Sequence, residues 1–210
     1  MTSKHPESPL TIAVIGGGVI GRTLARARRR SGHGVTFGVR RPQDDDLLQF
    51  AAGIGANVAA IDTALAEADT VLLAIAGNAM PQVVPQLAPN LAGKTVIDAT
   101  NNVGSPVLNS IADLSALAPT AHIYRAFNTV GWENFADPVY GDTIGDLLYS
   151  GPDGTVRQAV EKLIGDTGLR PVHLGDNDKA HLADALTALW FTLAFEQGYG
   201  RGVGFKVLTR

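Results

Sequence analysis

Cysteine is absent from this chain of 210 residues, which excludes a disulfide framework, a thiol nucleophile and any thiolate metal cluster. The five histidines, His5, His33, His122, His173 and His181, are scattered, and no metal is expected. No apolar run is long enough to span a bilayer. An excess of basic charge is missing too. Seventeen Lys and Arg stand against 20 Asp and Glu, a formal net charge of −3, which argues against nucleic acid as the main partner. Residues 1–9 are polar, carry two prolines and lack the apolar stretch of a secretory signal, so they read as a disordered tail. These absences describe a cytoplasmic chain that handles small molecules, with no membrane and no nucleic acid. At 45% hydrophobic and 18% charged content, it can bury a full core.

What the chain does have is concentrated in Thr11–Gly21, TIAVIGGGVIG. Ile12, Ala13, Val14 and Ile15 read as a strand buried on both faces, as in the middle of a parallel sheet. Gly16, Gly18 and Gly21 follow at the G-x-G-x-x-G spacing. In a dinucleotide site the first glycine makes the tight turn, the second admits a pyrophosphate and the third lets helix pack on strand. Val19 and Ile20 begin that helix, whose free N–H groups point at the pyrophosphate. Gly16, Gly18, Val19, Ile20 and Gly21 are therefore candidate cofactor residues.

A second absence sharpens the ligand. Val35–Val39 reads as the next strand of a βαβ unit, which for NAD would end in an acidic residue that binds the ribose 2′-hydroxyl. Here it ends in Arg40 and Arg41, and no carboxylate comes before Asp44. Such a pocket meets a phosphate, so NADP(H) is the expected cofactor. In the intervening helix Arg28, Arg29 and Arg30 suit the C-terminal dipole and read as a solvated basic face. Arg22, in the first turn, opposes the dipole unless an anion lies nearby; whether it meets the pyrophosphate stays open.

The alternation continues. Asp44–Asp46 start a helix, Asn57–Ala59 is a third strand, Asp62 caps a helix over Thr63–Ala68 and Thr70–Ile75 is a fourth strand. Strand Thr95–Asp98, a helix Pro106–Ala118 and strand His122–Phe127 follow. The fold class is α/β, a Rossmann-type doubly wound parallel sheet, with the dinucleotide domain over 10–129. Three successive strand ends carry small or amide residues, at Ala76 and Asn78, at Asn101, and at Asn128 and Thr129. They are expected to line the nicotinamide side, where Asn and Thr orient a carboxamide by hydrogen bonds. The remainder, 130–210, reads as a βαβ-like unit packed on the same domain (Leu147–Ser150, Thr155–Ile164, Arg170–Leu174) and a helix Lys179–Glu196, apolar nearly all round and so buried. That helix is also a credible homodimer seam. The glycine-rich tail Gly198–Lys206 is expected to bend around a second ligand.

The chain resembles the deazaflavin-dependent NADP reductases, the coenzyme F420-dependent NADP oxidoreductases and their relatives. The resemblance rests on the GGGVIG turn, Gly38-Val39-Arg40-Arg41, Ile97–Asn101, Ala126-Phe127-Asn128-Thr129 and the Gly198–Leu208 tail. It departs from the family's pattern at Val39, usually a small polar residue, and near Ala76 and Gly77, where a proline is common. The resemblance implies direct hydride transfer between NADP(H) and a deazaflavin, with Arg40 and Arg41 on the 2′-phosphate and Ala76, Asn101, Asn128 and Thr129 around the nicotinamide. Transfer between stacked rings needs orientation rather than acid–base groups. Accordingly no residue is assigned a catalytic role: no Tyr-x-x-x-Lys pair is present and none of Lys4, Lys94, Lys162, Lys179 and Lys206 sits in an acid/base position. Two other functions remain open: a non-catalytic NADPH-binding redox sensor, and a reductase of a small organic, quinone or ferric acceptor.

Overall fold

The computed structural model describes residues 9–210. Most of the expected tail, 1–9, lies outside the described residues. Strand β1 (Thr11–Ile15) buries Ile12 and Val14 in one core and Ala13 and Ile15 in the other, which is why it is apolar at every central position. The chain then runs through α1 (Val19–Arg30), β2 (Gly34–Val39), α2 (Asp45–Ile54) and β3 (Asn57–Ala60). It continues through α3 (Ile61–Glu67), β4 (Thr70–Leu73), α4 (Met80–Leu87), β5 (Thr95–Asp98), α5 (Ile111–Leu117) and β6 (His122–Arg125). All six strands are parallel, in the order β3-β2-β1-β4-β5-β6. This is the doubly wound Rossmann order. The order reverses between β1 and β4, so the ligand crevice lies off their carboxyl ends.

Beyond β6 come α6 (Glu133–Ala136), the hairpin β7 (Val139–Tyr140) and β8 (Thr143–Ile144), and then β9 (Asp146–Tyr149), α7 (Thr155–Gly165) and β10 (Arg170–His173). Strands β9 and β10 are parallel, so the expected βαβ unit is present. It forms a sheet of its own beside the main one, joined to β6 by paired backbone hydrogen bonds between Arg125 and Ser150 (2.8 and 3.1 Å). Leu147, Tyr149, Val160 and Leu163 share a core with Val14, Leu24 and Phe37.

Several local expectations are corrected. Helix α5 starts at Ile111 rather than Pro106, because Asn109 Oδ1 accepts the Ile111 N–H (2.9 Å) and the Asp98 carboxylate accepts that of Ser110 (2.9 Å), while 102–108 closes as a loop. Asp62 does not cap α3. The cap is Ala60, and Asp62 sits in the first turn, where its charge suits the dipole. Asp44 does cap α2, accepting the Leu47 N–H at 3.1 Å. Strand β6 stops short of Phe127, whose φ of 63° is left-handed and cannot continue a strand. Arg28 is not solvated: it is buried with its guanidinium 4.8 Å from the Phe127 ring centroid, and burial, against the attraction of Asp166, pushes it down to about 10.

The last helix, α8 (Ala180–Phe191), runs on into a π-helical turn at Thr192–Glu196. It is not buried all round. Its inner stripe is Ala180, Ala183, Thr187 and Trp190, at spacings of three and four, while Leu182 and Leu189 stand outside at 41% and 46% exposure. The glycine-rich tail also departs from expectation, since it wraps the protein itself. Trp190 Nε1 donates to the Val203 carbonyl (2.8 Å), Asn134 Nδ2 to that of Arg201 (3.2 Å), and the Asp146 N–H to that of Phe205 (2.9 Å). Buried Asp146 then accepts from Arg170 Nε (2.7 Å), Lys206 Nζ (3.1 Å) and the Val207 N–H (2.7 Å). Burial alone would raise this carboxyl, but those donors together hold it below its ordinary range.

His33 gives the fold a pH dependence. It is fully buried, its Nδ1 accepts the Leu10 N–H (3.1 Å) and its Nε2 faces Asp166 Oδ2 (3.1 Å), which fixes the neutral Nε2–H form. Burial, ahead of the opposing pull of Asp166, lowers its pKa from 6.5. Below about that pH the unfolded chain takes up a proton that the folded chain resists, so stability is full above it and falls as the pH drops. Denaturant midpoints at about pH 8 and about pH 5.5 should separate more for the wild type than for His33→Asn. An equal separation would show that His33 does not govern the dependence.

Candidate nucleotide-binding cleft

A cavity of about 590 Å³ lies at the carboxyl ends of β1, β2 and β4, lined by Gly16–Gly18, Gly38–Arg41 and Ala74–Ala76, and by Ala79, Gln82, Val83 and Gln86 around α4. Its size suits a small organic ligand. The glycines explain why the chain can build it. Gly16 has φ 116°, and a Cβ there would run into the Ala74 carbonyl across the crevice. A Cβ on Gly21 would strike the Gly16 carbonyl, so this glycine lets α1 sit against the turn. Gly18 has no atom within 4 Å of where its Cβ would be, which leaves open space at the start of α1. Gly18 is also the N-cap of α1 and offers no side-chain cap, so no cap side chain competes for the first helical N–H groups.

Charge is distributed unevenly around this opening. Arg40 and Arg41, both exposed, line it just past β2, and among the described residues neither joins an ion pair. Arg22 lines it as well and is paired: its Nε donates to the Gly17 carbonyl (2.8 Å) and its NH2 group binds Asp46. Asp44 and Asp46 face the same space from the start of α2, and Leu47 packs its methyls over Gly17.

Of the residues anticipated from the sequence, Gly16, Gly18, Arg40, Arg41 and Ala76 line this cavity and Gly21 packs beneath it. Val19 is 51% exposed, Ile20 packs partly against the core and Asn78 is exposed; none of the three lines the cavity. Asn101, Asn128 and Thr129 also lie outside its lining and belong to a second, polar cluster. A Cβ on Gly77 would run into the Asn101 backbone, so the β4 and β5 ends touch. Asn101 Oδ1 accepts from Arg125 (2.7 Å), its Nδ2 reaches the Asn128 carbonyl (3.5 Å), and Asn128 Nδ2 donates to Thr187 of α8 (2.9 Å). Asn128 Oδ1 and Thr129 Oγ1 are buried without a protein partner. Buried polar atoms are seldom left so.

Sequence reasoning missed Gly17, Gly38, Leu47, Gln82 and Gln86. Two signals were available. Gly38 is a glycine inside a strand, and its Cβ would lie 2.7 Å from Ile15 Cδ1 and 3.1 Å from Ala64, so a larger residue would press on α3 and β1 there. Gln82 and Gln86 stand four apart on α4, on one face, directly after a strand end.

Beneath both clusters Arg125 is buried and donates to the Thr100 carbonyl, to Asn101 Oδ1, and from Nε and NH2 to Asp184 of α8 (3.0 and 2.9 Å), with Asp98 3.5 Å from NH1. Among the described residues no group of His, Asp and Glu could hold a metal, and no helix is long and apolar enough to cross a membrane. The cleft is thus equipped to hold an elongated polyanion across the sheet switch point. Its only carboxylates among the described residues are Asp44 and Asp46 at the start of α2.

Residues 11–102 match the family described as NADP oxidoreductase coenzyme F420-dependent, the family that the sequence motifs resemble. A provisionally named F420 dependent NADP-reductase from Arthrobacter sp. FB24 superimposes with a TM-score of 0.82 at 28% identity, over 95% of this chain and 100% of that one. A hypothetical protein from Sinorhizobium meliloti does so at 0.68 and 26% identity, over 98% of each chain. A ketol-acid reductoisomerase (NADP(+)) of Pyrobaculum arsenaticum is 39% identical over 97 residues, 46% of this chain and 29% of that protein. The chain therefore spans under a third of the length of the curated relatives that it matches. The matches show a Rossmann fold, and over residues 11–102 the chain is similar to NADP-dependent oxidoreductases, which supports an NADP(H) site.

Proposed function

We propose that this chain, which matches the F420-dependent NADP oxidoreductases over residues 11–102, binds NADP(H) in the glycine-turn cleft and transfers hydride between it and a deazaflavin or flavin-like acceptor. One observation carries the cofactor half: an open helix start at Gly18 faces the same cavity as two arginines, Arg40 and Arg41, that have no ion-pair partner among the described residues. The residues fit the nucleotide. The Gly18 space takes the pyrophosphate against the α1 N–H groups, Arg40 and Arg41 grip the 2′-phosphate, and Gln82 and Gln86 stand on the cavity wall contributed by α4.

Bound NADPH supplies the hydride. The protein supplies orientation, through Ala76 at the cavity edge and the polar cluster of Asn101, Asn128 and Thr129, in which the buried, unpartnered Asn128 Oδ1 and Thr129 Oγ1 have the chemistry to accept from a carboxamide. The proton that completes the reduced acceptor ring is taken from water, so no side chain need give it, which agrees with the sparse acid–base equipment. The family resemblance and the superposition on the Arthrobacter protein support the deazaflavin half. A second copy of the chain would cover Leu182 and Leu189, seven residues apart on the outer face of α8, and the reading includes such a homodimer, acting in the cytoplasm.

The test is to mix the protein with NADPH and oxidised deazaflavin and to follow NADPH absorbance. Loss of absorbance with deazaflavin alone in an acceptor panel supports the reading. Loss with quinones, ferric chelates or small carbonyl compounds instead moves the acceptor. Tight NADPH binding with no turnover against any acceptor would leave a redox sensor.

A further inference from the structure

The Arg22–Asp46 pair spans the mouth of the cleft, and the reading above gives it no role. Arg22 stands in the first turn of α1, where a cation opposes the helix dipole. Its guanidinium reaches from the Gly17 carbonyl, 2.8 Å from Nε, to the carboxylate of Asp46 in the first turn of α2. Both residues line the cavity, and the open space at Gly18 adjoins them. The two ends of the pair are unequal: the Arg22 side chain is 25% exposed and that of Asp46 is 80% exposed. The cation is therefore seated, with the Phe50 ring centroid 5.1 Å away, while the anion is a solvated carboxylate that gives it up cheaply.

We propose that Asp46 is an internal competitor for the dinucleotide: it holds Arg22 beside the glycine turn and yields it to the pyrophosphate on binding. The proposal rests on the dinucleotide reading of this cleft. It divides the arginines by task. The pyrophosphate is common to NADH and NADPH, so Arg22 and Asp46 set the affinity for both, whereas Arg40 and Arg41 act on the 2′-phosphate alone. A pyrophosphate outcompetes Asp46 because it brings more negative charge and several acceptor oxygens to the same guanidinium, backed by the α1 N–H groups. Salt screens the exposed pair, so the competition weakens as ionic strength rises.

Calorimetric titration with NADPH and with NADH decides the matter, using the wild type, D46N, R22A, the double variant and D45N. Asp45 is an exposed neighbouring carboxylate outside the cavity lining and controls for charge alone. At low salt D46N should bind both nucleotides roughly two- to fivefold more tightly. R22A should bind both roughly tenfold more weakly. D46N should add nothing in the R22A background, and D45N should change neither affinity. An equal gain from D46N with and without Arg22, a gain matched by D45N, or weaker binding by D46N overturns the proposal. Failure of the wild type to bind either nucleotide overturns the dinucleotide reading itself and shows before any variant is compared.

Discussion

Arg40→Ala is expected to weaken NADPH binding tenfold to a hundredfold and to leave NADH binding nearly unchanged. A hydrogen bond to a charged group contributes about 1.5–3 kcal/mol, which is that range of affinity. The difference between the nucleotides is the 2′-phosphate, and Arg40 and Arg41 are the cations that the cavity presents directly after β2. Neither is drawn off into an ion pair among the described residues, so no internal partner competes, in contrast to Arg22. Equilibrium titrations of both nucleotides on wild type and variant measure the effect. Equal losses for the two would make Arg40 a structural residue and return the phosphate assignment to Arg41 alone.

Arg125→Ala is expected to destabilise the protein by about 3–5 kcal/mol, the range for removing one partner of a buried ion pair. The side chains of Arg125 and Asp98 are both fully buried and that of Asp184 is 13% exposed, so the carboxylates left behind have little water to turn to. Asp98 keeps its hydrogen bonds from Thr100 and Ser110, but these donors are neutral and cannot balance its charge. Against a total stability of about 5–15 kcal/mol the loss is large. In a chain of this size it should lower the melting temperature by roughly 6–20 °C. Arg125→Lys should recover only part of the loss, because a single ammonium cannot reach Asp184, Asn101 and the Thr100 carbonyl together. A melting point within a degree or two of wild type would mean that water reaches Asp98 and that the network is dispensable.

The parts of this protein that could be read from its sequence are those set by local chemistry. The TIAVI run fixes a doubly buried strand because every central position is apolar, and the glycines that follow carry steric demands that the structure makes concrete at Gly16 and Gly21, with open space left at Gly18. The Arg40–Arg41 pair was legible as a charge where an acid would stand. What escaped was set by elements meeting from far along the chain. Leu47 covers Gly17 only because α2 folds back over the turn, and Gln82 and Gln86 reach the cavity only because α4 leaves β4 at that angle. Arg28 looked like one of three terminal cations, yet the face of α1 that carries it lies against Phe127. In α8 composition misled. Apolar residues all round suggested burial, whereas only one stripe packs, three small side chains, Ala180, Ala183 and Thr187, followed by Trp190, which the tail holds through the Val203 carbonyl.

The knot around Asp146 has a consequence for the order of assembly. Its carboxylate is neutralised by Arg170, 24 residues downstream, and by Lys206, 60 residues downstream. At a synthesis rate of about 5–20 residues per second, a newly made Asp146 waits roughly 3–12 s for its last cation. The six strands of the main sheet end at Arg125, so that sheet can pair before either cation has been made. The β9–α7–β10 unit is therefore the late-maturing part of the molecule, and until it closes the face of Tyr124, Ala126 and Phe127 against which it packs stays open to water and to other chains.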